Sequence, residues 1–379
     1  MTRTMMIAAI VVVSVVGALG RTAAAYPQFQ LSRDQTCSSC HLSPAGGGLL
    51  SENGTSFLEN AASFGADGNF MYDAFKPPGW LQLGGVIRTA YGYTHTPQNY
   101  LVGFPMQGDL FASAELPAHL RFTVTVGARP TEYGNEAATH AWSREHFLTW
   151  SQDVGGTEGW FVRLGRFMPV FGLRYVEHPT YTRRFGGTPL YGETYGVAVE
   201  YIRADVEAHL TGFVRDPIQD TVVHDNGGAF YGEYRVLPQA AIGLEGMYTK
   251  SPDDSRLRGG VTAKYYVKPA DLLFQFEGQV VNQKILSYGL TQLVGELTAT
   301  KFFTSAWFLD LGIGHYDENL RIAGLDRNSI DLNLHWLVIS HFEVLLTTRL
   351  ELINQGRAQS AGLGGPASGY ALVQFNYRL

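Results

Sequence analysis

Ile330-Asp331-Leu332-Asn333-Leu334-His335-Trp336 is the stretch that decides the fold, because apolar and polar side chains alternate along it residue by residue. The same period of two runs through residues 205–212 and 274–279. Strict alternation predicts β-strands with one apolar face and one polar face. Soluble β-sandwiches alternate in the same way, so the strand and connection lengths must identify the class.

Period-two segments continue after Trp80 to the end of the chain, and sixteen strands are predicted. They span residues 80–93, 108–115, 119–128, 142–151, 158–168, 192–203, 205–214, 227–236, 240–249, 257–267, 271–281, 291–300, 303–315, 327–338, 341–350 and 370–379. An even count lets both ends of a closed barrel lie on the periplasmic side. Barrels of about 16–18 strands enclose an aqueous lumen.

The connections favour a membrane barrel over a sandwich. After even-numbered strands they are short, as at residues 116–118, 237–239 and 268–270, whereas after odd-numbered strands they are longer, up to residues 169–191. Short periplasmic turns alternating with long external loops are typical of outer-membrane barrels. The last strand, residues 370–379, is apolar and aromatic on one face. The sequence therefore predicts an all-β protein, a transmembrane antiparallel β-barrel of about 16 strands.

The composition agrees with this class. The chain has 379 residues with 44 Gly, 22 Phe and 20 Tyr, and only 16% of residues are charged. High glycine and aromatic content with little charge suits amphipathic strands flanked by aromatic girdles. The formal net charge of −6 argues against a nucleic-acid partner, because binding phosphates needs a basic face.

Residues 1–25 are predicted to be a secretory signal peptide. Arg3 supplies a basic start, residues 5–19 an apolar stretch, and Ala23-Ala24-Ala25 a small-residue cleavage site. Residues 26–79 then form a short segment that ends in the linker Pro77-Pro78-Gly79, and residues 80–379 form the barrel. Within the short segment, residues 51–64 are predicted to contain a helix.

Cys37-Ser38-Ser39-Cys40-His41 holds both cysteines of the chain and is the attachment signature of one covalent c-type haem. In this signature Cys37 and Cys40 bind the vinyl groups as thioethers and His41 binds the iron as an axial ligand. Two cysteines cannot build a four-thiolate zinc site or an iron–sulfur cluster. A redox disulfide is the other interpretation, but no βαβ pattern surrounds the motif.

The distal iron ligand is less determined. Met71 is the one methionine between Leu42 and Gly79, so it is the first candidate, although a methionine among aromatic residues is also typical of a packed core. His95, Met106 and His178 lie in predicted barrel connections and are candidates if residues 26–79 enter the lumen. An open coordination position is the remaining alternative.

Residues 26–79 are few to enclose a haem alone. We therefore expect this segment to fill the lumen or its periplasmic mouth as a plug, with a tethered periplasmic domain as the alternative. The predicted inner face carries more carboxylates than arginines, which is normal for a polar lumen and would also attract cations such as ferrous ion. The acidic residues are Glu200, Asp205, Glu207, Glu233, Glu245, Glu277, Glu296, Asp331 and Glu343, and the basic ones are Arg121, Arg235, Arg349 and Arg378. Residues 169–191 are either an inward-folded constriction or a solvated external loop.

The chain resembles the fused monohaem cytochrome–porin family of outer-membrane iron oxidases. The likeness runs from Tyr26-Pro27-Gln28-Phe29 through Cys37–His41 to Pro44 and Leu49, and it departs at Asp34-Gln35 and at the inserted Gly46-Gly47-Gly48. For the barrel, the resemblance lies in the predicted architecture and not in sequence motifs. The resemblance implies a bacterial outer-membrane protein that transfers electrons through one haem c, with extracellular ferrous iron as one donor it would oxidise.

Three functions follow as hypotheses. The first is an electron conduit between an extracellular electron donor or acceptor and a periplasmic cytochrome or other electron carrier. The second is a porin or solute channel in which the haem segment is a structural or regulatory plug. The third is a barrel that sheathes a separate cytochrome. All three require outer-membrane lipid as a partner, and none involves nucleic acid.

Overall fold

The computed structural model describes residues 28–65, 67–96, 98–128, 141–177, 179–189, 192–217, 225–304, 306–354 and 367–379. The predicted signal peptide lies outside the described residues. Within these ranges no helix is both long and apolar enough to cross a membrane.

Sixteen antiparallel strands form one closed barrel in which each strand pairs with its sequence neighbours and β1 pairs with β16. The strands are β1 Leu81–Thr96, β2 Gln98–Leu116, β3 Leu120–Ala128, β4 Ala141–Ser151, β5 Gly159–Phe167, β6 Thr194–Ile202, β7 Val206–Val214, β8 Asn226–Leu237, β9 Ala240–Lys250, β10 Asp254–Val267, β11 Leu272–Ile285, β12 Tyr288–Phe302, β13 Trp307–Asp317, β14 Asp326–Ile339, β15 Phe342–Ile353 and β16 Ala367–Arg378. The predicted barrel is confirmed, strand by strand.

The external ends differ most from the prediction. β2 begins at Gln98 instead of residue 108, because the segment predicted as a loop continues the ladder with β1 up to the pair Thr96–Gln98. The β1–β2 ladder contains one irregularity: Arg88 faces Gln107 and Thr89 faces Pro105, so Met106 has no opposite residue. An extra residue of this kind is a β-bulge, which redirects side chains locally.

Side-chain alternation explains why the sheet closes. On β11, Gln275, Glu277 and Gln279 are buried inside, whereas Phe274 and Phe276 are about two-fifths exposed on the outer face. This polar-in, apolar-out pattern is that of a barrel in lipid. Of the carboxylates predicted to face inward, Asp205 does not lie in a strand: it is exposed in the turn between β6 and β7.

Residues before the barrel form short helices: α1 Phe29–Ser32, α2 Cys37–Cys40 and α3 Glu52–Phe57, which continues as a π-helical turn over Leu58–Ala62. The predicted helix at residues 51–64 is therefore present. A 3-10 turn follows at Phe70–Asp73. Phe29 is 1% exposed, and its ring centroid lies 5.5 Å from that of Phe302 and 5.7 Å from that of Phe308, so α1 packs on side chains of β12 and β13.

Polar contacts continue this attachment to the inner face. Gln28 Nε2 donates to Asp310 at 3.1 Å, and Gln30 Nε2 donates to Glu207 at 3.0 Å. Lys264 Nζ in turn donates to Gln30 Oε1 at 2.7 Å. Because the strand residues involved are buried and inward-facing, residues 28–30 lie against the barrel interior.

The long connection between β5 and β6 also folds against the inner face, as the constriction alternative predicts. It contains the short helix α4, Tyr181–Arg184. The backbone N–H of Leu173 donates to Glu277 at 2.8 Å, and that of Tyr181 donates to Glu296 at 3.1 Å. We call residues 168–177, 179–189 and 192–193 the inward loop. It and the N-terminal segment approach the same part of the interior.

Candidate functional site

The Cys37–Cys40 stretch forms one helical turn with a well-defined start. Thr36 Oγ1 accepts the N–H of Ser39 at 3.1 Å, while Ser39 Oγ accepts the N–H of Thr36 at 3.1 Å. A capping interaction of this kind typically stabilises a helix start by about 1 kcal/mol. His41 leaves the turn in an extended conformation and forms an antiparallel bridge with Leu50. Residues 37–41 are thereby held as a compact unit.

A cavity of about 410 Å3 opens beside this unit. Cys37, Cys40 and His41 all line it, so the structure brings the three predicted haem-binding residues to one space. The opposite walls come from the barrel and the inward loop, with Arg88, Met106, Gln107, Asp109, Arg144, Arg163, Met168, Arg174, Tyr175 and Arg183 among the lining residues. Ligand cavities in proteins are commonly about 300–1,000 Å3 in volume.

Cys37 and Cys40 are not joined in a disulfide, and burial shifts the pKa of both thiols and of the neighbouring histidine. Burial raises the pKa of the Cys37 thiol to about 12, and it also raises the pKa of the Cys40 thiol. Burial lowers the pKa of His41 to about 4, so its imidazole is uncharged at pH 7, which is the form that binds a metal. His41 Nδ1 is buried and has no hydrogen-bond partner among the described residues.

Two arginines of the cationic wall, Arg88 and Arg183, donate to amide and backbone oxygens and not to carboxylates of the described residues. Arg88 donates to three amide oxygens, those of Asn376, Gln107 and Gln374, at 3.0, 3.3 and 3.0 Å. Arg183 donates to backbone carbonyls, for example that of Tyr175 at 2.8 Å. Burial lowers the pKa of Arg183, a cost that a nearby anion would offset. Both guanidiniums are therefore placed to face an anionic group in the cavity.

Arg174 ties the inward loop to both other parts of the site. Its guanidinium donates to the carbonyl of Ala45 at 3.2 Å and pairs with Glu207 of β7 at 2.5 Å. Glu207 is also the acceptor of Gln30, whose Nε2 lies 3.3 Å from Cys37 Sγ. A single network thus connects the cysteine turn, the barrel wall and the inward loop.

The candidate distal ligands are distributed unevenly. Met71 is 46% exposed and does not line the cavity with Cys37 and His41. His95 is exposed and contacts Asn99 at the end of β1. His178 lies outside the described residues. Met106, at the bulge of β2, does line the cavity, as does Met168 at the start of the inward loop.

One cluster of potential metal ligands was not predicted from the sequence. Glu177 of the inward loop, Asp310 of β13 and His335 of β14 present ligand atoms that all lie within 4.8 Å of one another. The three residues are far apart in the sequence and share no motif spacing. The only sequence signal is that Asp310 and His335 occupy inward positions of neighbouring predicted strands.

Comparison with protein-family models gave no match, and comparison with curated protein sequences also gave none. Solved structures do match in fold. OmpT of Vibrio cholerae is similar with a TM-score of 0.60 at 10% identity, covering 79% of this chain and 97% of that one. An anion-selective porin from Comamonas acidovorans gives 0.58 at 15% identity, covering 79% and 99%. Salmonella typhi OmpF, in a complex with daunomycin, gives 0.60 at 11% identity, covering 79% and 97%.

These similarities concern the barrel fold and extend over nearly the whole length of each matched chain. Together with the closed sixteen-strand architecture of the described residues, they show a porin-like barrel fold and a location in the bacterial outer membrane.

Proposed function

We propose that this protein carries one covalently attached haem c inside its outer-membrane barrel and serves one-electron transfer at that membrane. The observation that carries the proposal is that Cys37, Cys40 and His41 of a C-x-x-C-H motif line one cavity together. The neutral imidazole of His41 and the carboxylate-free contacts of Arg88 and Arg183 fit the iron and the two propionates of a haem.

Each of these residues has a definite part in the proposal. Cys37 and Cys40 hold the group covalently, and His41 supplies the proximal nitrogen. Arg88 and Arg183 orient the propionates, because a guanidinium binds carboxylates through paired hydrogen bonds. Bound haem supplies a one-electron couple whose potential depends on its axial ligands and surroundings.

The partners belong to the same proposal. On the periplasmic side a cytochrome or other electron carrier would exchange electrons with the haem, and on the outer side an extracellular donor or acceptor would do so. Ferrous iron is the donor that the resemblance to cytochrome–porins implies. The excess of carboxylates on the inner wall would favour the entry of a cation over that of an anion.

The second candidate function is that of a porin or solute channel with residues 28–65 as a structural or regulatory plug. It is favoured by the fold similarity to porins and by the packing of Phe29 and Gln30 against the inner face. In this case the cysteine motif would stabilise the plug and electron transfer would be secondary. The third hypothesis, a sheath for a separate cytochrome, has no specific support, because residues of the chain itself occupy part of the interior.

Covalent haem is the first requirement of the proposal, and reduction of that haem by an external donor in membrane vesicles then separates electron transfer from a haem-plugged channel. The full chain is expressed with a haem-attachment system, and haem is detected on a denaturing gel by its peroxidase activity. We expect one haem per chain, lost in the Cys37→Ser/Cys40→Ser variant and kept in Ser38→Ala, which changes the same turn. Wild-type protein that folds as a barrel but holds no covalent haem would favour the channel function instead.

A further inference from the structure

We propose that Glu177, Asp310 and His335 bind one first-row divalent metal ion, such as Mn2+ or Fe2+, inside the barrel. This site is separate from the cysteine motif, and the proposal does not depend on the proposed haem. Two carboxylates and one imidazole are a donor set that suits first-row transition ions better than Ca2+, which prefers oxygen alone.

The three side chains converge from different elements. His335 Nε2 lies 3.3 Å from Asp310 Oδ2 and 3.8 Å from Glu177 Oε1. All candidate ligand atoms lie within 4.8 Å of one another, which leaves room for an ion between them after small side-chain adjustments. Metal–ligand distances to nitrogen and carboxylate oxygen are about 2.0–2.2 Å for ions of this class.

Neighbouring side chains that are not proposed ligands orient the imidazole of His335. Its other nitrogen, Nδ1, lies 3.0 Å from Glu343 Oε1, and the ring stacks on Phe308 with the centroids 4.2 Å apart. Glu343 is itself held by Asn376 and Arg378 at 3.0 and 2.9 Å. Carboxylate–histidine pairs of this kind commonly fix metal-binding histidines, because they set the tautomer and the ring orientation.

Glu177 provides an independent reason to expect a cation. Its Oε1 is buried and has no hydrogen-bond partner among the described residues, although it points towards the imidazole of His335. Leaving a buried carboxylate oxygen without a partner is costly, and coordination of a metal ion would remove that cost.

The cluster has neighbours on the cavity described above. Asp310 accepts from Gln28, whose chain neighbour Phe29 lines that cavity, and Glu177 follows Val176, which lines it too. The cluster therefore adjoins the cavity through residues 28–29 and 176–177.

The alternative is that the cluster is only an ion-pair centre around a protonated His335. The two cases differ in whether the protein binds a metal ion at micromolar concentration. The full mature chain is refolded in detergent, free of lipopolysaccharide, and titrated with Mn2+ while the electron paramagnetic resonance signal of free Mn2+ is recorded. We expect saturable binding of one ion per chain, unchanged in the Cys37→Ser/Cys40→Ser variant.

Variants locate the ion. Glu177→Gln and His335→Gln should each weaken binding by more than about tenfold, since even loss of an outer-shell partner commonly costs about 10–100-fold. Glu115→Gln, a carboxylate variant at a distant Arg121 ion pair, should bind as the wild type does. Glu177→Gln changes a loop residue, so it keeps the test valid if His335→Gln fails to fold. No saturable binding, or binding unaffected by Glu177→Gln, would overturn the proposal.

Discussion

Cys37 faces two opposing requirements. Thioether formation needs a reactive thiolate, whereas the folded environment of this residue, beside Gln30 and the inward loop, favours the neutral thiol. Since the pKa is about 12 in the folded chain, few thiolates exist there at neutral pH. Any covalent attachment at Cys37 should therefore precede the docking of residues 28–65 on the barrel.

Alkylation rates should reveal this difference. In the haem-free folded chain we expect Cys37 to react with iodoacetamide at pH 8 about a thousandfold more slowly than in urea, because its pKa rises from 9.0 to about 12. The folded-state rate should keep rising with pH up to about 12, whereas the unfolded-state rate levels off near 9. The measurement is mass spectrometry of a Cys40→Ser variant, so that only one thiol reacts. Equal rates in both states would mean that Cys37 is open to solvent.

Arg88 is the second residue whose contribution can be measured. In the haem-loaded protein, Arg88→Gln should lower the reduction potential by on the order of tens of millivolts, because a nearby cation favours the more electron-rich ferrous form. Arg256→Gln removes an arginine that pairs with Asp254 in β10, and it serves as the matched control. A potentiometric titration of the haem absorption bands gives both values. An unchanged potential in Arg88→Gln would exclude it as a propionate partner.

At the scale of the element, β2 departs from regular pairing at one residue only in its ladder with β1. The bulge at Met106 lies where the strand passes the cavity, and bulges are frequent next to functional sites because they redirect a side chain without ending the strand. A regular strand would alternate residues 105–107 strictly between lipid and lumen. The bulge allows Met106 to line the cavity beside the inward-facing Gln107.

Met106 is therefore our expected distal ligand in the haem-loaded protein. Met106→Leu should abolish the weak long-wavelength absorption of methionine-ligated ferric haem and lower the potential, since thioether ligation raises it. Met71→Leu, which changes an exposed methionine in the segment before the barrel, should leave the spectrum unchanged. If Met168→Leu abolishes the band instead, the ligand comes from the inward loop. If none of the three changes it, sulfur is not the distal ligand.

The elements were predictable from the sequence to different degrees. All sixteen strands were predictable from the alternation of apolar and polar residues, because each strand places apolar side chains towards lipid and polar side chains towards the lumen. The bulge at Met106 was not predictable, because it adds a single residue and strand boundaries predicted from a sequence are uncertain by more than one residue. The Cys37–His41 unit is visible as a motif, but the Glu177–Asp310–His335 cluster depends on the pairing of β13 with β14 and on how the inward loop places Glu177.

At the scale of the whole molecule, the N-terminal segment and the inward loop both contact inward-facing side chains of one barrel. The apolar contacts of Phe29 hold the N-terminal segment on β12 and β13, and the ion pair of Arg174 with Glu207 holds the inward loop on β7. Porin-like barrels without such filling conduct small solutes through an aqueous channel. The electron-transfer and channel functions therefore differ in how tightly residues 28–65 are held inside.

Single-channel conductance in a planar bilayer measures how far residues 28–65 obstruct the lumen. Phe29→Asp places a carboxylate in an apolar cluster with Phe302 and Phe308, and removing a buried aromatic side chain alone typically costs about 3–5 kcal/mol. We expect the segment to undock and the conductance to rise several-fold above that of the wild type. Phe64→Asp changes a phenylalanine that is 68% exposed, so its conductance should match the wild type. Heat-dependent migration on a gel confirms that each variant keeps the barrel. A wild type that already conducts as openly as Phe29→Asp would show that residues 28–65 do not obstruct the lumen, and it would favour a peripheral position for the cysteine motif.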